Sequence, residues 1–352
     1  MHRLAIPLLA VILATVPAVM VSDRCGSLDC ARDDSQSSES RDRHSPTPSI
    51  ALALKHDGNW EIHLLSLDGA QRTQLTRRGG QTRFPLWSPD GTKIAFGVQT
   101  AATWELWVMN ADGSDATRIA DSIVAKAHRQ WTSDGTRIVF ERTRDGRHVI
   151  FVARADGSGL TPLADSRTDD RDPTLSPDGS RIAFTSSRDG RPSIWLMRAD
   201  GSAPTRLTTG AGEDMSPTWS PDGSTIAFVS SRDGGHDLYR VRPNGSALER
   251  LTTGAGATRD LSQWSPDGAS LAIQTAHGKN YDVELVRVAD RTRTPLAASS
   301  GYDGQFAWSP DGHAIAFISD RDGVEALYVA DASGANVRRI TSEPSLNPAW
   351  KP

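Results

Sequence analysis

Past residue 30 the chain contains no cysteine; its only two, Cys25 and Cys30, stand close together near the start. A folded body without thiols has no disulfide framework and no cysteine nucleophile, so packing must hold it together. A Gly-x-Ser-x-Gly elbow, a phosphate-cradling glycine loop and a dinucleotide fingerprint are all missing. Those absences remove the common signatures of serine hydrolases, NTPases and nicotinamide enzymes. Cationic excess is missing too. The net charge is −4, the isoelectric point is near 6.1, and no basic stripe is interleaved with aromatics, so no nucleic-acid partner is expected.

One long apolar run is present: Leu4 to Val21 follows Arg3, with no acidic residue before Asp23. It reads as a secretory signal with a cleavage site at Val16-Pro17-Ala18, the alternative being an uncleaved anchor of about bilayer-spanning length. Either reading places the rest of the chain in the periplasm or outside the cell, membrane-tethered if the anchor is kept. Membrane contact is expected only through that segment. Ser22-Asp23-Arg24 does not suit lipidation of Cys25, and a Cys25–Cys30 disulfide would staple only a tail. Residues 22–49 are polar, with the run Arg32-Asp33-Asp34-Ser35-Gln36-Ser37-Ser38-Glu39-Ser40. They bury too little to offset chain entropy and are expected to form a disordered linker. Three segments result: 1–21 signal or anchor, 22–49 linker, and 50–352 folded body.

Repetition dominates that body. Trp87-Ser88-Pro89-Asp90-Gly91 recurs in recognisable form from Trp131, Leu175, Trp219, Trp264 and Trp308, at steps of 44, 44, 44, 45 and 44 residues. Leu75, Ile119, Leu163, Leu207, Leu251, Leu296 and Ile340 keep the same phase. A period of about 40–45 residues with strand-like content is the mark of a β-propeller. In the copy from Pro217 to Thr252, turn residues Ser220-Pro221-Asp222-Gly223, Arg232-Asp233-Gly234-Gly235 and Pro243-Asn244-Gly245 separate four short strands. Proline presets φ, Asp caps neighbouring amides, and Gly accepts positive φ. Four strands with hairpin signals make one blade.

Six full sets start at Trp87, Trp131, Leu175, Trp219, Trp264 and Trp308. Ile50–Lys55, Trp60–Leu67 and Arg72–Thr76 supply three more strands, and Asn347-Pro348-Ala349-Trp350 matches a first strand. The expected fold is therefore all-β, a seven-bladed propeller closed by pairing of the C-terminal strand with the N-terminal strands. Closure removes unpaired edges. Phe96, Phe140, Phe184, Phe228 and Phe317 occupy one position, with Leu52 and Ile273 in the other blades, and an Ile two residues before each Phe shares its face. The recurring tryptophans read as packing between blades.

The repeat resembles the TolB-type propeller repeat, on the pattern Asp-x-x-Pro-x-Trp-Ser-Pro-Asp-Gly, Ile-Ala-Phe, Ser-Arg-Asp-Gly, a Leu-Tyr or Leu-Trp strand, Asp-Gly and Arg-Leu-Thr. Asp214 through Thr252 matches it almost throughout, and the resemblance spans about residues 50–352. Similar repeats occur in TolB, in propeller domains of serine peptidases and in propeller-type pectate-fragment lyases. TolB carries an α/β domain before a six-bladed propeller, whereas a polar stretch precedes the repeats here. The resemblance implies a TolB-like role in binding a protein or peptide outside the cytoplasm.

Alternating strand direction brings the second-to-third hairpins and the segments entering each first strand to one face. Arg144, Arg188, Arg232 and Arg321 sit there, each followed by Asp, with His56-Asp57 at the equivalent place. Asp170, Asp214 and Asp303 enter first strands and are expected to line a central channel; His128 precedes a first strand and is expected to point the same way. These eight residues form the candidate binding rim, although Asp-Gly is also ordinary hairpin chemistry. No catalytic residue, cofactor or metal is expected. His56, His63, His148, His236, His277 and His313 are scattered over different blades, and Asp169, Asp170, Asp172, Glu213 and Asp214 fit no compact calcium loop. The favoured reading is a non-catalytic scaffold. The alternatives are a polysaccharide-fragment lyase or hydrolase using the channel carboxylates, and a tethered adhesion or sensing module.

Overall fold

The structure, a computed structural model, describes residues 49–352 except 126–127, 165–166, 255, 279 and 297–298. The proposed signal, the polar linker, Cys25 and Cys30 lie outside those residues. All regular structure among the described residues is β: four four-stranded sheets, and one twelve-stranded sheet whose strands fall into three further sets of four, linked by the single pairs Trp60 with Gln81 and Ile123 with Arg142. The group formed by Asp214–Trp219, Ile226–Ser230, Asp237–Val241 and Glu249–Arg250 shows why. Its antiparallel register pairs Trp219 with Ile226, Phe228 with Tyr239, and Tyr239 with Arg250. Between its first two strands, the Ser220 hydroxyl donates to Asp222 at 2.5 Å and the Ser224 amide donates to the same carboxylate at 3.0 Å. Gly223 takes φ 68° there, a conformation that costs glycine little.

Ser345–Trp350 pairs antiparallel with Ser49–His56, in register Ile50 with Trp350 and Ala51 with Ala349. Ser49–His56 pairs in turn with Asn59–Ser66, and that strand with Arg72–Gln74. One group of four is thus assembled from both ends of the described chain. Consecutive groups touch in chain order, and the last first-type strand but one, Asp303–Trp308, touches Ser345–Trp350.

The groups nest large against small. In each second strand two large residues, mostly Ile and Phe, face one way and the intervening Ala or Val faces the other. Ala95 joins Ile138 and Phe140 of the next group; Val139 joins Ile182 and Phe184; Ala183 joins Ile226 and Phe228. Ala227 then meets Leu271 and Ile273, Ala272 meets Ile315 and Phe317, and Ala316 meets Leu52. Each buried aromatic or aliphatic side chain contributes about 1.5–3 kcal/mol relative to exposure. The tryptophans tie the same interfaces by hydrogen bonds. Trp131 Nε1 donates to the Leu86 carbonyl, Trp219 to Thr174, Trp264 to Thr218, each at 3.2 Å. Trp350 donates to Ala307 at 2.9 Å, and Trp87 to Ala349 at 3.2 Å, so the series runs through the strand that joins the two ends. Trp308 Nε1 is the exception: buried, with no acceptor.

Candidate functional site

The first strand of most groups carries a bulge that the simple alternation of a strand does not show. Register slips between Arg83 and Leu86, Arg171 and Thr174, Met215 and Thr218, and Gly304 and Ala307. Phe84, Asp172, Ser216, Gln305 and Asn347, each three residues before the Trp or Leu marker, hold φ between 47° and 60°. The next residue is Pro85, Pro173, Pro217, Phe306 or Pro348. Proline has no amide hydrogen to offer a ladder, so within a sheet it belongs at such an interruption. In three of these strands the interrupted pair, Phe84-Pro85, Gln305-Phe306 and Asn347-Pro348, faces a common space.

That space holds a cavity of about 330 Å3, bounded by Phe84, Pro85, His128, Arg129, Gln263, Gln274, Tyr302, Gln305, Phe306 and Asn347 among others. Among the described residues no carboxylate lines it. One wall is amide and phenol. Gln305 Oε1 accepts from the Asn347 backbone and side-chain amides, each at 2.9 Å, while Asn347 Oδ1 is buried without a donor. Burial pushes the Tyr302 phenol pKa up, against hydrogen bonds from Gln274 and Gln305. Gly304 makes this wall possible, because a Cβ there would stand 2.2 Å from Gln274 Nε2 and 2.4 Å from the Tyr302 hydroxyl. Tyr281, exposed, meets Tyr302 edge-on at 6.1 Å. The other wall is aromatic and basic: Phe84 packs edge-on with Trp104 at 5.4 Å, and the Arg129 guanidinium lies 5.3 Å from the Phe84 ring centre.

Behind Arg129 is a buried polar cluster. Glu141 accepts from the Asp172 amide at 2.6 Å through one oxygen and meets His148 Nδ1 at 3.1 Å through the other. Burial raises the Glu141 pKa. Burial pulls the Asp172 carboxyl upward as well, but His128, Thr185 and Ser216 outweigh it and the net shift is down. His128 Nδ1 stands 3.7 Å from Asp172, and Thr185 donates to Asp172 at 3.1 Å.

The predicted rim divides. Asp170, Asp214 and Asp303 do not line the cavity as expected; they are buried and ion-paired with Arg188, Arg232 and Arg321 at 3.0, 2.8 and 2.9 Å. A serine hydroxyl helps to fix each arginine: Ser186, Ser230 and Ser319 accept from the Nε of Arg188, Arg232 and Arg321. The guanidinium also covers the Phe of its own strand at 5.2–5.5 Å. The repeated Phe-x-Ser-x-Arg together with the Asp of the preceding strand is therefore one packed device. Arg144 is outside it, exposed and 3.9 Å from Asp145. His128 is among the residues that line the cavity. Among the described residues no three His, Cys, Asp or Glu side chains converge as a metal site. Arg129, Gln305, Asn347 and Tyr302 were not singled out by sequence reasoning; an x-Pro pair before the Trp marks Asn347, and no comparable signal marks the other three.

Comparison with known proteins fits this architecture. The chain superposes on TolB from Acinetobacter baumannii with a TM-score of 0.58 at 18% identity, covering 87% of this chain and 67% of that one. An oligogalacturonate lyase in complex with manganese gives 0.65 at 19%, covering 80% and 85%. Puromycin hydrolase gives 0.66 at 16%, covering 85% of this chain and 52% of that one. At such identities the likeness shows the fold alone. A curated relative, the uncharacterized peptidase YuxL of Bacillus subtilis (strain 168), is 46% identical over 48 residues, which is 13% of this chain and 7% of that protein. The TolB beta propeller domain family matches residues 35–178, 164–263 and 256–352, and with four-stranded units throughout the described body the chain belongs to that family.

Proposed function

We propose that this chain is a non-catalytic propeller scaffold that works outside the cytoplasm and binds a peptide segment of a protein partner. In this reading the four-stranded groups are seven blades of a closed ring. The pairing of Ile50 with Trp350 and the unbroken tryptophan series at that junction support closure. The apolar Leu4–Val21 stretch supports the location.

The observation that carries the function is the composition of the cavity: among the described residues it has four side-chain amides, a phenol, an imidazole, one guanidinium and no carboxylate. Amides donate and accept, as a peptide backbone requires, and the flanking Phe84, Phe306 and prolines supply apolar contact. The charged rim then serves as scaffold: Asp170, Asp214 and Asp303 with Arg188, Arg232 and Arg321 hold the loops around the opening, Arg144 is exposed to a partner, and His128 lines the cavity beside Asp172. The lyase or hydrolase alternative needs carboxylates at the substrate, and those it relied on are buried against arginine.

Selection of random peptides on the immobilised protein tests the proposal. Enriched sequences should bind Asn347→Trp, whose indole fills the cavity, at least tenfold more weakly than the parent. Failure of any sequence to enrich, or binding indifferent to that substitution, would count against it. Turnover of acidic oligosaccharides lost on Asp214→Asn would favour the enzyme instead.

A further inference from the structure

Two residues before the Trp or Leu marker, four of the first strands carry proline: Pro85, Pro173, Pro217 and Pro348. At the equivalent position of the Trp131 group stands Arg129. Ser262 and Phe306 hold that position in two further groups, so Arg129 is the one charged residue of the series. The strand there is also reduced to Gln130–Trp131, and His128 and Arg129 just before it line the cavity.

The guanidinium is incompletely satisfied. Arg129 Nη2 donates to the Ala125 carbonyl, and the Phe84 ring lies against the group, but Nη1 is buried with no acceptor. The carboxylates closest in chemistry are already engaged. Glu141 spends one oxygen on the Asp172 amide and the other on His148, and Asp172 faces His128 and Thr185. Burial lowers the Arg129 pKa to about 10, so the group is still a cation at neutral pH. A buried cationic donor without an acceptor costs free energy unless something arrives to take the bond.

We infer that Arg129 is the carboxylate-recognition point of the cavity, taking an acidic group of the bound peptide while the Gln305, Asn347 and Gln274 amides hold neighbouring polar atoms. A guanidinium suits this role because it offers paired donors to a carboxylate and its bond is charge-assisted. The acid is either the C-terminal carboxylate or an Asp or Glu side chain. The inference rests on the peptide reading for its ligand, and the two fail separately.

The test uses the full chain in two experiments. In the first, thermal unfolding is followed with succinate against succinamide at matched ionic strength. Succinate should raise the midpoint and succinamide should not; Arg129→Gln should remove the rise, Arg144→Gln should keep it, and Arg129→Lys should retain part of it. Circular dichroism of Arg129→Gln reports whether that variant is folded, and the Lys variant carries the test if it is not. Equal effects of succinate on the parent and on folded Arg129 variants overturn the inference. In the second, a cavity-binding peptide from the selection above is titrated as free acid, as C-terminal amide, and with its acidic side chains replaced by Gln or Asn. One of the two neutralised forms should bind at least tenfold more weakly, and that gap should vanish in Arg129→Gln. If both neutralised forms bind like the parent peptide, the inference falls and the peptide reading stands. If succinate behaves as expected and no peptide binds, the anion site stands and the peptide reading falls.

Discussion

Asp214 and Arg232 are 6% and 12% exposed, so neither charge has water to fall back on. Removing one partner of such a pair strands the other, at a cost of about 3–5 kcal/mol. Asp214→Asn is expected to lower unfolding free energy by about 3 kcal/mol in a urea titration, because the amide keeps the shape and part of the hydrogen bonding. A loss below about 0.5 kcal/mol would mean that the pair is not a structural clamp. Gly304 poses the opposite problem. A methyl there meets Gln274 and the Tyr302 hydroxyl, so Gly304→Ala should displace the amide-phenol wall and cost about 1–3 kcal/mol from overpacking. It should also weaken any cavity ligand, a pairing of effects that a calorimetric titration alongside the urea curve would separate.

Elements of the repeat also set how stability responds to pH. His63 lies in strand Asn59–Ser66 where other groups have Trp107, Phe151, Trp195, Tyr239 or Tyr328, and burial, with help from Arg72, lowers its pKa to about 4. The unfolded chain takes up that proton near pH 6.5 while the folded chain resists it, so stability falls as pH drops from about 6.5 to about 4 and this contribution then levels off. The turn aspartates act later. Hydrogen bonds from Ser or Thr hydroxyls and amides hold Asp90, Asp134 and Asp178 at about 2, below the usual 3.8. Their contribution is present above the unfolded pKa and is lost between about 4 and 2. Acid unfolding of the parent should therefore show two descending stages, and His63→Phe should flatten the first and leave the second. A single descent below pH 4 in the parent would contradict the assignment to His63. The turns that hold those aspartates were legible in the sequence, because Pro, Asp and Gly have fixed uses at tight turns. So were the strands, from β-branched and aromatic runs between the turns. The bulges were not: Phe84, Asp172, Ser216, Gln305 and Asn347 adopt positive φ without being glycine, so local propensity gives no warning. The cavity they bound joins residues from distant repeats, and Asp170, Asp214 and Asp303 looked like channel residues because nothing local shows that an arginine 18 positions on will fold back onto each.

At the scale of the whole molecule, the arrangement turns on one seam, where Ser345–Trp350 lies against Ser49–His56. Every other group of four is made from consecutive chain; this one closes a loop of nearly the entire body. Ala51 and Ala349 are direct cross-strand partners there. Antiparallel partners have Cα atoms about 4.5–5.5 Å apart, within reach of a disulfide. With Cys25 and Cys30 replaced by Ser, Ala51→Cys with Ala349→Cys should oxidise to a single intramolecular bridge and resist a thiol reagent in the native protein. A bridge closing so long a loop restricts the unfolded chain, so it should add about 2–4 kcal/mol to unfolding free energy, reversed by reductant. A seam that opens and closes readily would still form the bridge but would leave both cysteines reactive beforehand, and the kinetics of thiol labelling in the reduced protein would reveal it. Two thiols that label freely and never bridge would mean that the strands do not meet, and the proposed closed seven-bladed ring would be lost with them. The cavity makes the result matter for function, since Asn347 and Pro348 on the joining strand stand beside Gln305 and Phe84 from the flanking groups. A locked seam should therefore preserve or tighten binding in the cavity, whereas a seam broken by deleting residues 345–352 should abolish it.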